Sequence, residues 1–251
     1  MYFVGEDRDI ERKCVTFFCL DRVSGKTMWR DVSLHESWWT GIEKLHKHVA
    51  FFHEYVSPDL PGHKKIYAVE LATGKMLWFN DELEFLFVNE NSVYASKVAG
   101  DRRLFFELDL GSGASLRELD ISQINTIKNA GLRGSEIVEF PSGFQQNAND
   151  ASFIKAELEH ALRQAHSPSS VEYLRKNGKL VVGYYDDASA TEGAGMLDQN
   201  IVILDEDTDK VVYEDRVNTH LSVSLPDMFF GMGKYVYYIK GKKTVTALKI
   251  E

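Results

Sequence analysis

Two stretches of the chain carry one pattern. FFCLDRVSGKTMW (17–29) and IYAVELATGKMLW (66–78) align without a gap, with Gly25 upon Gly74 and Trp29 upon Trp78. A repeat constrains a fold more than local propensity does, because each copy must bury its apolar side against a neighbouring copy. FELDLGSGASL (106–116) is a weaker copy with Gly113 in the glycine place. IVILDEDTDKVVY (201–213) is another, with Asp209 for Gly and Tyr213 for Trp. TVTALKI (244–250) matches the first half of the unit.

Each copy reads as a strand, a tight turn and a returning strand. Glycine supplies the positive φ of the turn, and the Ser or Thr before it can bond locally to the backbone. Asp209 fits the same place, because Asn and Asp tolerate the left-handed region better than most residues. A second set of hairpins lies between these copies. LHKHVAFFHEYV (45–56), VNENSVYASKV (88–98), RKNGKLVVGYYDD (175–187) and GMGKYVYYIK (231–240) each pair a polar turn with a β-rich run. Together they predict units of four antiparallel strands, each about 40–48 residues long. The clearest unit spans about residues 170–217.

That period and strand count predict an all-β fold, a β-propeller of about five four-stranded antiparallel blades, with six as the alternative. Residues 68–78, AVELATGKMLW, resemble the Ala-x-Asp-x-x-Thr-Gly-x-x-x-Trp repeat of quinoprotein-like propellers. The resemblance covers about two thirds of the chain and makes it similar to a short, bacterial-type member lacking the cofactor site. It implies that Trp29 and Trp78 dock on neighbouring blades, with Tyr213 as substitute and with Gly25 and Gly74 turning the chain. It does not carry the quinone. The quinone-dependent dehydrogenases have eight blades, an adjacent cysteine pair and a calcium site, whereas Cys14 and Cys19 are the only cysteines here. No cofactor is expected.

The middle departs from the repeat. DISQINTIKNAGL (120–132) predicts a short helix, and SEIVEF (135–140) a strand. NDASFIKAELEHALRQAHSP (149–168) sets Phe153, Ile154, Leu158, Ala161, Leu162 and Ala165 on one helical stripe, started by Asn149 or Asp150 and ended by Pro168. The expected organisation is one domain, 1–251, with a helical insertion near 120–168 (its strong helix within 145–168) and with YFV (2–4) pairing TVTALKI to close the ring.

Charge and cysteines bound the partners. The balance is 29 − 38 = −9, which repels a phosphate backbone and argues against nucleic acid. No run approaches the ~20 apolar residues of a membrane span. Cys14 and Cys19, five apart on a strand, face opposite sides, so two free thiols and a cytoplasmic setting are expected.

No catalytic set is visible in linear order. Asp205 to Asp209 alternates acids like a calcium loop but falls on a hairpin turn and lacks the glycine and closing glutamate. GYYDDASA (183–190) resembles the Tyr-x-Asp-Asp turn of reverse-transcriptase palms, but the acidic balance and the blade alignment argue against that chemistry, and its acids read as a strand end. His46, His48 and His53 are the densest histidine group, and two imidazoles at i, i+2 can share a metal, though an exposed turn is the expected reading. In HESWWTG, Trp38 and Trp39 should point to opposite faces, one in the core and one partly exposed; blade packing is the expected reading and a binding surface the alternative. The residues thus favour a non-enzymatic scaffold for an unknown protein partner or small ligand, with Trp38, Trp39, His46 and His48 as its candidate contacts. The rival is a metal-assisted hydrolase or lyase whose site is assembled from several blades.

Overall fold

The computed structural model describes residues 2–57, 60–131, 138–144, 158–163, 165, 168–188 and 196–251. The chain divides into two compact units, Met1–Gly134 and Ser135–Glu251. Both consist mostly of antiparallel strands. Among the described residues, no helix is long and apolar enough to cross a membrane.

The first unit begins with a three-stranded meander, β1 (Tyr2–Asp9), β2 (Cys14–Asp21) and β3 (Thr27–Val32). A four-stranded meander follows: β4 (Thr40–His46), β5 (Val49–Ser57), β6 (Leu60–Glu70) and β7 (Met76–Asn80). A second comprises β8 (Glu84–Asn89), β9 (Ser92–Ala99), β10 (Arg102–Asp109) and β11 (Ser115–Leu119). One parallel pair, Lys65 with Glu84, joins the two. Helix α1 (Ile121–Gly131) closes the unit. Asp120 caps it, its carboxylate accepting the Gln123 amide at 2.9 Å.

The meanders stack because their central strands are apolar on both faces. Along β5 and β6, Ala50, Phe52, Tyr67 and Val69 join Val15, Phe17, Cys19 and Trp29 in one core. Val49, Phe51, Ile66 and Ala68 join Trp78, Val93, Ala95 and Leu108 in the next. A strand covered on both sides needs a continuous apolar run, and VAFF (49–52) supplies it. Cys14 and Cys19 both lie on β2 as free thiols. Burial pushes the Cys19 thiol up to about 11, so it behaves as a small apolar side chain.

In the second unit, β14 (Ser169–Lys176), β15 (Lys179–Asp187), β16 (Leu197–Asp205) and β17 (Lys210–Leu221) form an antiparallel meander. Short β13 (Ser142–Gly143) lies at its edge. Short β12 (Val138–Glu139) leads the other sheet, followed by β18 (Phe229–Met232), β19 (Tyr235–Lys240) and β20 (Thr244–Lys249). The expected stripe is seen in part. Leu158 and Ala161, within the helical residues 158–161, are buried on Leu180, Val182, Val202 and Leu204, and Leu162 and Ala165 pack partly buried beside them. Phe153, Ile154, Asn149 and Asp150 lie outside the described residues. Among the described residues no sheet is closed: β1 pairs with β2, and β20 with β19, so the expected pairing of the termini is not among these ladders.

The turns share one chemistry. Ser24 donates its amide and hydroxyl to Asp21 Oδ1 at 2.8 and 2.7 Å, and Ser112 does the same to Asp109 at the same distances. Thr208 repeats it on Asp205, both bonds 2.8 Å. The next residue is left-handed each time: Gly25 (φ 69°), Gly113 (φ 68°) and Asp209 (φ 52°), as is Gly74 (φ 72°) after Thr73. Lys179 and Thr208 together hold the Asp205 carboxyl down at about 2, from an ordinary 3.8. A depressed carboxylate contributes stability above its unfolded pKa and loses it as pH falls through the folded one. Stability should therefore drop between about pH 4 and pH 2, and Asp205→Asn should flatten that limb of a urea-midpoint titration.

Candidate binding surface and histidine cluster

The docking contacts form a series. Trp29 on β3 lies over Gly74, in the turn between β6 and β7. A Cβ on Gly74 would sit 2.8 Å from the indole. Trp29 Nε1 donates to the Leu71 carbonyl at 2.9 Å. Trp78 on β7 repeats this one meander further on, where a Cβ on Gly113 would sit 2.6 Å from the ring. Its Nε1 donates to the Leu110 carbonyl at 2.9 Å. Among the described residues, nothing lies within 4 Å of a Cβ built on Gly25. Four residues beyond Gly113 stands Arg117, not an aromatic, and it binds the Glu107 carboxylate at 2.5 Å. Tyr213 is half-buried, its hydroxyl 2.7 Å from that of Tyr238, which donates to Asp215 at 2.7 Å.

Trp38 and Trp39 lie in the bend before β4, not within a strand, so strand alternation does not set their directions. Glu36 organises the bend by accepting the Trp38 amide at 2.9 Å and the Trp39 amide at 3.3 Å. Those bonds, the Trp38 amide first, hold its carboxyl below the usual range. Trp38 is half-buried and Trp39 is 39% exposed, their rings edge to face at 6.1 Å. Arg8 on β1 clamps the pair. Its guanidinium lies 5.4 Å from the Trp38 ring centre and donates to the Trp38 carbonyl at 2.8 Å and to the Thr40 carbonyl.

The histidines divide. His46 Nε2 lies 2.8 Å from the Glu90 carbonyl, and His48 is exposed in the adjoining turn. His53 instead meets His63 and Glu43, the only group among the described residues whose potential metal-ligating atoms converge. Three strands position them. Glu43 is the extra residue of a bulge in β4, between the pairs Ile42–Phe52 and Lys44–Phe51. His53 lies midway along β5, directly after the double-faced apolar run. A second irregularity at Ile66 and Lys65 of β6, with Lys65 at φ 59°, sets His63 opposite Tyr55.

The two imidazoles stack, centres 3.5 Å apart and planes 7° apart. Each Nδ1 lies 2.8 Å from the same oxygen, Glu43 Oε2. His63 donates a hydrogen bond there. The His53 contact has the length of a hydrogen bond but not its direction, so among the described residues neither ring nitrogen of His53 has a hydrogen-bonding partner. His53 is only 2% exposed. Burial alone raises the Glu43 pKa, but the two imidazoles outweigh it and hold the carboxyl below its usual range, ionised. The next residue along β5, Glu54, faces the other way. Its buried carboxylate accepts Tyr67 Oη and pairs with Lys65 Nζ at 2.9 Å. Burial, followed by this bond, pushes the Tyr67 phenol up.

The sequence pattern offered no signal for Glu43 or His63. They are ten and twenty residues apart from their partner and each other, and only the bulged register of β4–β6 joins them. A cleft of about 420 Å³ in the second unit is lined by Phe144, Glu172 and Leu225 among others, and Glu172 is its one charged group among the described residues. The Glu172 carboxylate there is taken by the amides of Asp227 and Met228.

Residues 1–78 match a domain of unknown function, DUF4905. That span holds Gly25, Trp29, Gly74, Trp78 and the whole histidine cluster. No curated protein matches the chain. Among solved structures, a europium-containing methanol dehydrogenase overlaps with TM-score 0.32 at 12% identity, over 99% of this chain and 45% of its own length. TolB from Acinetobacter baumannii gives 0.31 at 12%, over 99% and 61%. Hsv2 of Kluyveromyces lactis gives 0.27 at 12%, over 98% and 73%. The chain thus spans less than half of the dehydrogenase, and overlaps this weak carry no functional inference.

Proposed function

We propose that the chain is a non-enzymatic scaffold that binds a protein partner or small ligand through the surface carrying Trp38 and Trp39. The observation that carries this reading is the clamped aromatic pair. Trp39 is exposed while Arg8 and Glu36 fix the bend beneath it. Aromatic and arginine side chains already held in place lose little freedom on binding, and such residues dominate interface energetics. In the same reading the meanders are blades of a quinoprotein-like propeller of about five blades, six being the alternative. They form one domain with a helical insertion, without the quinone, in a reducing cytoplasmic setting.

The test is a side-by-side capture from lysate with wild type and Trp39→Ala, read by mass spectrometry. One dominant partner held by wild type and lost by the variant, with an unchanged far-UV spectrum, is the expected result. Equal recovery by both chains sinks the reading. A metal-assisted hydrolase or lyase is the second reading, and the convergence of Glu43, His53 and His63 is the observation on its side.

A further inference from the structure

We propose that Glu43, His53 and His63 form a binding site for one divalent transition-metal ion of the zinc class. Two imidazole nitrogens and one carboxylate oxygen are the donor set that zinc takes in open, three-ligand sites. Hard cations such as calcium and magnesium take oxygen donors and are disfavoured by two imidazoles.

The donor atoms converge, but the parallel rings must turn apart before both Nδ1 lone pairs can meet one ion. Both nitrogens stand 2.8 Å from Glu43 Oε2. Bonds of about 2.0–2.1 Å to a tetrahedral ion put donor atoms about 3.3 Å apart. Filling the site therefore needs a modest widening and a rotation of His63 out of the stack, which its side chain, 35% exposed, has room to make.

The second observation is independent of this convergence. A buried polar group ordinarily finds a partner, and one that lacks any calls for an explanation. His53 is buried, and among the described residues both its ring nitrogens lack hydrogen bonds, although its Nδ1 lies only 2.8 Å from the Glu43 oxygen. A metal ion at that point takes up the Nδ1 lone pair. The surroundings hold the ring ready. Tyr55 stands edge-on to His53, with centres 4.8 Å apart, and to His63 at 5.5 Å. Gly41 makes room on the far side, where a Cβ would lie 3.0 Å from His53 Nε2 and from Tyr55 Oη. Three protein ligands leave a fourth position, on the side where His63 meets solvent, for water or an exogenous donor.

The test is titration of zinc chloride into the chelator-stripped full chain, followed by calorimetry, with cobalt(II) as a spectroscopic probe. One zinc per chain is expected, with affinity falling more than about a hundredfold in His63→Ala and in Glu43→Gln, since losing a ligand exceeds losing a second-shell contact. His46→Ala and His48→Ala should bind as wild type does. Absence of saturable zinc binding, or loss in the His46 and His48 variants instead, overturns the assignment. The cobalt spectrum of wild type decides independently of any variant's folding. Strong visible bands of a four-coordinate ion support the site, and the faint spectrum of hydrated cobalt overturns it. Trp39→Ala should bind zinc normally, so this proposal and the partner-binding surface fail separately.

Discussion

Trp78→Ala is expected to lower the stability of the first unit by about 3–5 kcal/mol, the range for truncating a large buried aromatic. Trp78 is 8% exposed and sits in the core formed by Val49, Phe51, Ile66 and Leu108. Three losses combine. The indole leaves a void against Phe51, whose ring centre lies 6.0 Å away. The Leu110 carbonyl loses its donor. The Gly113 turn loses the surface it rests on. Urea unfolding followed by far-UV circular dichroism measures the change. A midpoint within error of wild type sinks the idea that this residue locks successive meanders. Trp78→Phe separates the terms, since it keeps most of the apolar area and removes the indole N–H.

The second large effect is a contrast between two turns with the same backbone. Gly25→Ala and Gly113→Ala each place a Cβ at a φ near 69°, which costs about 1–2 kcal/mol in either turn. The added methyl meets open space at Gly25, but the Trp78 indole at 2.6 Å at Gly113. Overpacking there adds about 1–3 kcal/mol. Gly113→Ala should thus cost about 2–5 kcal/mol and Gly25→Ala about 1–2 kcal/mol. Equal midpoints for the two variants overturn the steric account of the docking. Gly74→Ala, facing Trp29 at 2.8 Å, should follow Gly113→Ala.

The turns were legible in the sequence because their chemistry is local. An acid, then Ser or Thr three residues later, then Gly or Asp at a left-handed position, is complete within five residues and recurs at Asp21, Asp109 and Asp205. The strands of residues 170–217 were legible for the same reason: polar turns bound apolar runs. The histidine cluster was not. His46 and His48 are near His53 in the chain, but the turn between β4 and β5 sends them elsewhere. The true neighbours of His53 depend on one extra residue in β4 and another in β6. A shift of one residue reverses the face a side chain takes, so no spacing rule could place Glu43 or His63. Trp38 and Trp39 stand out in the sequence as a tandem pair, but strand alternation does not govern them, because they lie in a bend. Their geometry is set by Glu36 and by Arg8, about thirty residues away.

The docking series also imposes an order in time. Each indole is received by a turn that lies later in the chain, Trp29 by Gly74 and Trp78 by Gly113. The delays are 74 − 29 = 45 and 113 − 78 = 35 residues. At about 5–20 residues per second, a nascent chain carries each tryptophan without its receptor for about 2–9 seconds. During synthesis the leading meander therefore presents a large apolar side chain to the surrounding medium until the next one emerges.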